Sequence, residues 1–315
     1  MIILVTGAAG FIGSHLSSAL LADGHEVRGL DCFTPYYERE RKEENVAPLV
    51  GRPGFVFIDA DLADVPLGPH LDEVDVVYHL AGQPGVRPSW GVEFDAYVRH
   101  NIVATQRLLE ACRARPLTKF VYASSSSVYG DAESYPTSES LRPRPVSPYG
   151  VTKLAAEHLC ELYRSNLGIP TASLRLFTVY GPRQRPDMAF SRLVRAAVAG
   201  TPFELYGDGR QTRDFTFVDD VVQAMLEVAR SGWCGVANIG GGARSAMNDV
   251  IAGVERLSGP VEVVRGPSQP GDVRHTAADL RVAAAAFGYA PRRTLAEGLE
   301  AMVEWERTRV GASAP

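Results

Sequence analysis

The stretch that decides the fold is Ile2-Ile-Leu-Val-Thr-Gly7-Ala-Ala-Gly10-Phe-Ile-Gly13. Its apolar first half predicts a buried strand, and the segment 14–22 after it has the apolar spacing of a helix. Between them, the first glycine permits a tight turn, the second lets backbone approach a pyrophosphate, and the third lets helix pack on strand. The N–H groups at the helix N-terminus supply donors for the phosphates. This order of elements predicts a dinucleotide-binding turn.

Outward from this turn, short apolar runs alternate with helix-length amphipathic segments. The runs are nearly continuous in Val, Ile and Leu, which is typical of a parallel sheet covered on both faces. The sequence therefore predicts an α/β fold, a Rossmann-type doubly wound parallel sheet with a smaller C-terminal α/β substrate lobe. The predicted strands are 2–6, 26–30, 55–58, 74–79, 119–123 and 171–177.

Glycine- and proline-rich stretches separate shorter elements after Phe177. A helix at 218–230 and a buried strand at 236–239 are predicted to return to the first sheet, so the boundary is not a single cut. We assign 1–178 with 213–240 to the nucleotide-binding domain. The remaining segments, 179–212 with 241–315, form the predicted substrate lobe.

Two acids follow predicted strands. Asp31 comes 24 residues after Gly7, where a carboxylate accepts hydrogen bonds from the adenosine ribose and repels a 2′-phosphate. It favours NAD over NADP, although Asp31 can instead cap a loop. Asp61 lies where a polar side chain can meet the adenine edge, and a turn-capping role remains open for it.

Composition narrows the class of protein. The chain has 315 residues, 45% hydrophobic and 22% charged, with a formal charge of −5, which is the profile of a globular protein rather than a disordered one. It has no apolar run that could span a membrane, no basic leader and no basic block, so we expect a cytoplasmic protein that binds neither membrane nor nucleic acid. Neither a disulfide framework nor a metal site is indicated, because the four cysteines are far apart and no histidine pair has ligand spacing.

Tyr149-Gly-Val-Thr-Lys153 opens a predicted helix after Ser147-Pro148. The i, i+4 spacing places phenol and ammonium on one face, where the cation is expected to lower the tyrosine pKa so that Tyr149 can act as a base. The alternative is a surface tyrosine beside a solvated lysine. Lysine is scarce, with only Lys42, Lys119 and Lys153, which disfavours that alternative.

A run of hydroxyls, Ser124-Ser-Ser-Ser127-Val-Tyr-Gly130, follows the fifth predicted strand. Doubly wound folds bind their substrates at this edge of the sheet. A serine here can share the proton of a substrate hydroxyl with Tyr149. The run can also be a polar loop without a catalytic role.

These motifs together resemble the extended short-chain dehydrogenase/reductase family, in its nucleotide-sugar epimerase and dehydratase branch. The resemblance rests on the glycine turn, Tyr149-x-x-x-Lys153, the serine run, Leu80-Ala-Gly82 and the segment Arg213-Asp-Phe-Thr-Phe-Val-Asp219, and it extends to near residue 300. It implies NAD as cofactor, a UDP-sugar as substrate of the second lobe, and an isomerase that oxidises and reduces C4 of the sugar. In similar proteins, helices around 93–114 and 151–166 form a homodimer interface.

Two segments are more similar to UDP-glucuronate 4-epimerases than to UDP-glucose 4-epimerases. They are Asp31-Cys-Phe-Thr-Pro-Tyr-Tyr37 and the arginine-rich Phe177-Thr-Val-Tyr-Gly-Pro-Arg-Gln-Arg-Pro-Asp-Met188. Gln269-Pro-Gly-Asp-Val-Arg274 is shared more widely among UDP-sugar epimerases. Where dehydratases and uronate decarboxylases of this branch have an acid before Val-Tyr-Gly, this chain has Ser127, and an isomerase working only at C4 needs no such acid.

The resemblance assigns roles to individual positions. The catalytic residues are expected to be Tyr149, Lys153 and Ser125. The cofactor is expected to contact Gly7, Gly10, Phe11, Ile12, Gly13, Asp31, Asp61, Leu62, Leu80, Ala81, Gly82, Asn101, Tyr149 and Lys153. The sugar nucleotide is expected to contact Arg87, Ser126, Ser127, Thr178, Arg185, Arg213 and Arg274.

Two other functions remain open from the sequence. The first is 4-epimerisation of UDP-glucose or UDP-N-acetylglucosamine. The second is an NAD(H)-binding sensor or scaffold without catalysis, which the intact Tyr149 and Lys153 disfavour. Arg185 has its own alternative, a guanidinium turned to solvent in a Gly/Pro-rich loop.

Overall fold

The computed structural model describes residues 1–267 and 273–312. In that part of the chain the strands are β1 (Ile2–Thr6), β2 (Glu26–Asp31), β3 (Phe55–Asp59), β4 (Val76–His79), β5 (Lys119–Ser125), β6 (Thr171–Leu176), β7 (Val179–Tyr180), β8 (Phe203–Tyr206), β9 (Thr212–Asp214), β10 (Thr216–Phe217), β11 (Gly235–Ile239), β12 (Arg244–Ala246) and β13 (Val263–Gly266). The α-helices there are α1 (Phe11–Ala22), α2 (Arg39–Val46), α3 (Phe94–Tyr97), α4 (Ala104–Cys112), α5 (Pro148–Leu167), α6 (Ala189–Ala199), α7 (Val218–Arg230), α8 (Met247–Ser258), α9 (Arg281–Phe287) and α10 (Leu295–Ala312).

The central sheet has the strand order β11-β6-β5-β4-β1-β2-β3 as far as the structure describes the chain, and every neighbouring pair is parallel. This confirms the predicted doubly wound α/β fold. The order reverses at β1, which pairs with both β2 and β4, so a crevice opens there at the carboxyl ends of the strands. Three boundaries differ most from the prediction. β4 begins at Val76, because Val74 closes a turn on the Leu71 carbonyl, 3.2 Å away. β5 continues to Ser125, so the first two serines of the run belong to the strand, and α1 begins at Phe11, three residues before the predicted start.

Helix α5 has strong start and stop signals. The Ser147 hydroxyl accepts a hydrogen bond from the Gly150 N–H at 3.1 Å, and Pro148 occupies the first helical position. The helix ends at Gly168, whose φ of 72° is the left-handed conformation that glycine adopts without strain. These signals fix where the helix begins and hence where Tyr149 lies.

A π-helical stretch, Val98–Val103, joins α3 to α4 without a break. Such stretches are rare and often occur at functional sites. Here it contains His100 and Asn101. Both residues lie in the wall of the pocket described below.

The second region consists of two-stranded sheets and helices. β7 pairs with β10, β8 with β13 and β9 with β12. Its apolar side chains, such as Phe190 and Met247, belong to the same buried cluster as Ile3 and Val5 of β1. β11 joins β6, as expected for a strand that returns to the first sheet. The division at 178, 212 and 240 stays a prediction.

No helix within the described ranges is long and apolar enough to cross a membrane. Cys32, Cys112, Cys160 and Cys234 are all free thiols.

Candidate active site

The glycine turn between β1 and α1 forms one end of a pocket. Gly7 has φ of 73°, and a Cβ on it would lie 2.8 Å from the Ala81 nitrogen. A Cβ on Gly13 would overlap the Gly7 carbonyl oxygen, so only glycine lets α1 begin this close to the turn. The turn brings backbone N–H groups to the pocket at the helix N-terminus, which fits the phosphates of a dinucleotide.

Two acids lie beside the turn. The Asp31 carboxylate accepts hydrogen bonds from the N–H groups of Ala9, at 3.1 Å, and Phe33, at 2.9 Å. It lines the pocket and has lone pairs left for a ribose hydroxyl. Asp61 also lines the pocket, yet its carboxylate accepts the Ala63 N–H at 2.8 Å, so the turn-capping role occurs as well.

The sheet side of the pocket carries the serine run and the start of α5. Ser125 ends β5, and its hydroxyl accepts the Ser127 N–H at 3.1 Å. Ser125 also shares a side-chain hydrogen bond with Tyr149. The predicted trio of Ser125, Tyr149 and Lys153 is thus brought together in the pocket wall, with Ser126 and Ser127 beside it.

The pKa values of Tyr149 and Lys153 are shifted differently from the sequence-based prediction. Burial raises the pKa of Tyr149, and the hydrogen bond with Ser125 and the charge of Arg185 oppose that rise. Burial lowers the pKa of Lys153 to about 7. The predicted net lowering of the Tyr149 pKa is therefore wrong for the protein alone, because burial, the largest effect on each group, disfavours both the phenolate and the ammonium. Lys153 Nζ lies over the ring of Tyr122, 4.3 Å from its centroid.

Behind the trio lies a buried polar network. Glu157, one turn after Lys153, accepts hydrogen bonds from Ser124 at 2.7 Å and from Arg175 at 2.6 and 3.0 Å. Arg175 also donates to the Tyr129 hydroxyl at 2.7 Å, which donates to Asn238 at 2.8 Å. The network ties α5 to the ends of β5, β6 and β11. Every charge in it is paired, as burial requires.

The loop side of the pocket carries Arg185, in the segment between β7 and α6. Its guanidinium contacts the pocket and lies 5.5 Å from the centroid of the Tyr36 ring. It donates from Nε and Nη2 to the two carboxylate oxygens of Asp187, at 3.0 Å each. Arg185 is thus not turned to solvent; its side chain is 21% exposed.

The pocket has a volume of about 480 Å³. This is a normal size for a small-molecule site, and it spans the crevice where doubly wound folds bind nucleotides. Most residues expected at cofactor and sugar line it: Gly7, Gly10, Phe11, Ile12, Gly13, Asp31, Asp61, Leu62, Leu80, Ala81, Gly82, Asn101, Ser125, Ser126, Ser127, Tyr149, Lys153, Thr178 and Arg185.

Three expected arginines are not in that lining. Arg87 packs over the ring of Tyr206, 4.5 Å from its centroid. Arg213 donates to the carbonyl of Arg274 at 3.0 Å, and Arg274 itself is exposed. Their contacts with a diphosphate stay predictions. Gln269–Asp272 lies outside the described residues.

Sequence reasoning missed several wall residues. Lys42 lines the pocket near Asp31, with Nζ donating to the Thr34 carbonyl at 2.9 Å, and the scarcity of lysine was a signal that could have identified it. The loop 83–86 also lines the pocket. The Asn101 side chain holds this loop, because it accepts the Gln83 N–H at 2.7 Å and donates to Thr152 of α5 at 2.9 Å.

Cys32, Asp61 and His100 have ligand atoms within 4.8 Å of one another in the pocket wall. They do not favour a metal ion. Burial raises the pKa of the Cys32 thiol to about 11, so the thiolate that binds metals is disfavoured. Asp61 is also paired with Arg99 at 3.1 Å.

A glycine turn, a crevice at the switch point of a parallel sheet and a Tyr/Lys helix in its wall define a nucleotide-binding enzyme of the Rossmann class. The model of the NAD dependent epimerase/dehydratase family matches residues 3–240. The chain belongs to this family, and NAD is its cofactor.

Relatives and solved structures agree with the family. The uncharacterized UDP-glucose epimerase YtcB of Bacillus subtilis (strain 168) is 45% identical over 303 residues, which cover 95% of this chain and 96% of that protein. A probable UDP-glucuronate 4-epimerase of Rhizobium meliloti (strain 1021) is 36% identical over 327 residues, 96% of each chain. The crystal structure of UDP-glucuronic acid 4-epimerase from Bacillus cereus, in complex with UDP-glucuronic acid and NAD, has a TM-score of 0.95 and 46% identity, covering 98% of this chain and 100% of that one.

Proposed function

We propose that the chain is an NAD-dependent UDP-sugar 4-epimerase that interconverts UDP-glucuronate and UDP-galacturonate. The observation that carries the uronate assignment is the position of Arg185 in the same pocket as Tyr149, close enough for its charge to lower the pKa of that phenol. A guanidinium is suited to bind a carboxylate with two parallel hydrogen bonds. The likeness to the Bacillus cereus enzyme supports the same substrate.

Tyr149 is the proposed base. Its phenolate takes the proton of the sugar 4-hydroxyl and later returns it to the same oxygen, so the reaction is a net isomerisation. Ser125 supports the phenolate by hydrogen bonding. Bound NAD⁺ supplies the reversible acceptance of hydride from C4, and its positive charge adds to that of Arg185 in favouring phenolate. Lys153, in the same pocket wall, is the residue we propose to hold the nicotinamide ribose.

A uronate places a special demand on the site. Oxidation at C4 leaves the C5 carboxylate next to a ketone, and such a β-keto acid loses CO₂ when the breaking bond aligns with the carbonyl π system. An epimerase must therefore hold the carboxylate out of that alignment. Arg185 is the proposed clamp, with the hydroxyls of Thr178, Ser126 and Ser127 as further donors in the same wall.

UDP-glucose is the second candidate substrate, because the relative YtcB is named as a UDP-glucose epimerase. Incubation of purified protein with UDP-glucuronate, UDP-glucose and UDP-N-acetylglucosamine separately, with products resolved by chromatography, tests the assignment. We expect UDP-galacturonate from the first at a much higher rate than any hexose product. A faster UDP-glucose reaction would transfer the assignment to the hexose, and no turnover of any of the three would support the sensor or scaffold.

The preference for NAD is attributed to Asp31, and NADP in the cofactor released from purified protein would contradict it.

For assembly we infer a homodimer. The helices around the predicted interface expose Val103, Val151 and Leu162 by 40%, 48% and 55%. A monomer mass in light scattering would contradict it. The free thiols are in keeping with a reducing, cytoplasmic location, which imaging of a tagged protein would test.

A further inference from the structure

The ion pair between Arg185 and Asp187 uses one particular edge of the guanidinium. Nε and Nη2 each donate to one carboxylate oxygen at 3.0 Å, the side-on bidentate geometry. A guanidinium has five N–H donors in one plane. Nη1 makes no hydrogen bond to any described residue, so the second, end-on edge of the group is available for another carboxylate.

The Asp187 carboxylate is itself held in place. Burial works against its ionisation, but the hydrogen bonds from Arg185 hold the pKa of the carboxyl below its usual range, so it is charged. The Tyr36 hydroxyl donates to Oδ2 at 3.3 Å, and burial raises the pKa of Tyr36 to about 12, which keeps it a donor. The ring of Tyr36 also stacks under the guanidinium.

The loop 83–86 completes this support. Gly85 has φ of 99°, and any Cβ there would overlap the Tyr36 hydroxyl. On the other side, the Tyr97 hydroxyl bonds to the carbonyls of Pro84 and Gly85 at 2.8 and 2.9 Å. Tyr36, the loop and Tyr97 therefore form a packed layer beneath the ion pair, and Tyr97 in turn contacts the ring of Tyr149.

We infer that Asp187 is a positioning residue for uronate specificity: it holds Arg185 by the Nε/Nη2 edge so that the end-on edge faces the sugar carboxylate. The inference deepens the proposed function and rests on it. A free arginine side chain loses rotamer entropy on binding. A guanidinium already fixed by Asp187 loses less, and its plane is set before the sugar binds.

Asp187→Asn tests the role. The amide keeps the size of the carboxylate but its NH₂ group opposes one guanidinium N–H, so Arg185 loses its fixed plane. We expect kcat for UDP-glucuronate epimerisation to fall about tenfold, decarboxylated UDP-pentose to appear among the products, and the affinity for UDP and the NAD content to stay unchanged. Asp187→Glu, which keeps the charge, should restore part of the rate and suppress the pentose.

The chain offers a matched control. Asp279 and Arg281 form the same kind of pair two residues apart, with Nε and Nη2 donating at 3.0 and 2.6 Å, but Arg281 is 87% exposed. Asp279→Asn should leave rate and products unchanged.

The outcomes separate the two proposals. If the parent protein does not epimerise UDP-glucuronate, the proposed function fails and this inference fails with it. If the parent is active and Asp187→Asn matches it in rate and yields no pentose, only the positioning role is overturned. A lower KM for UDP-glucuronate in Asp187→Asn, without pentose, would also overturn it, since Asp187 would then be a competitor of the substrate carboxylate.

Discussion

The two sides of the pocket are built in different ways. On the sheet side, Tyr149 and Lys153 stand on a capped helix in front of the ion pair of Glu157 and Arg175, whose side chains are 3% and 5% exposed. On the loop side, the ion pair of Arg185 and Asp187 is 21% and 39% exposed, and its guanidinium lies over the ring of Tyr36. The proposed proton transfer needs a fixed base, and a buried, fully paired network behind Tyr149 would hold it in place. The proposed recognition of a carboxylate falls to a half-buried arginine on a loop.

The comparison also separates stability from specificity. Breaking a buried ion pair leaves an uncompensated charge in the interior, whereas an exposed pair contributes little to folding. Changes on the sheet side should therefore affect both folding and rate. Changes on the loop side should affect which product forms.

The largest effect is expected from Tyr149→Phe. Phenylalanine keeps the ring contact with Tyr97 and removes the proton acceptor, so the epimerisation rate should fall roughly 10³-fold while NAD stays bound. Product formation and released cofactor are measured together. Tyr163→Phe, on the same helix, is the control and should keep the parental rate. Activity of Tyr149→Phe within tenfold of the parent would refute the proposed base.

The second test compares two glutamates one turn apart on α5. Glu157→Gln leaves buried Arg175 without its countercharge and should lower the free energy of unfolding by about 3 kcal/mol. Glu161→Gln breaks the pair with Arg164, whose side chains are 43% and 37% exposed, and should cost less than about 0.5 kcal/mol. Denaturant unfolding measures both. Equal losses in the free energy of unfolding would show that burial does not make the ion pair of the sheet side more stabilising than an exposed pair.

On the loop side, Arg185→His replaces the guanidinium with a shorter imidazole. The imidazole cannot donate two parallel hydrogen bonds to a carboxylate. We expect roughly a tenfold loss of uronate epimerisation, with UDP-pentose released, because a loosened carboxylate reaches the aligned geometry before hydride returns. The folding free energy should hardly change. Chromatography of the products gives the answer: parental rate without pentose would remove the main support for the uronate and favour the UDP-hexose.

The smallest effect is expected from Ser125→Ala. The hydrogen bond of Ser125 lowers the pKa of Tyr149, so its loss raises that pKa. In the proposed mechanism the phenolate is the active form, and it exists above the pKa, so the rise of activity with pH should move to higher pH, with a loss of about fivefold at neutral pH. A pH–rate profile that keeps its position would place Ser125 outside the proton transfer.

The sequence predicted the sheet side well because its signals are local. The glycine turn, the cap at Ser147 and the spacing of Tyr149 and Lys153 each lie within a few residues of one another. Tyr36 and Asp187 are 151 positions apart and meet only in the fold, so no spacing could pair them. The predicted lowering of the Tyr149 pKa was wrong for a related reason: the i, i+4 rule places the lysine on the right face, but burial, which depends on the whole fold, sets the direction of the pKa shift of both groups.

The π-helical stretch Val98–Val103 changes the phase of the helix that contains it. An α-helix turns by roughly 100° per residue, so the one extra residue of a π turn rotates everything before it by about that angle relative to everything after it. Tyr97, before the stretch, is therefore directed to the loop 83–86 and Tyr149, while Leu108 and Cys112, after it, pack in the core beneath β4 and β5. The continuous helical segment thus contacts the pocket with one end and the core with the other, at different angles. Deletion of one residue here would rotate one end by about 100° relative to the other, so that the two ends could not keep their contacts together.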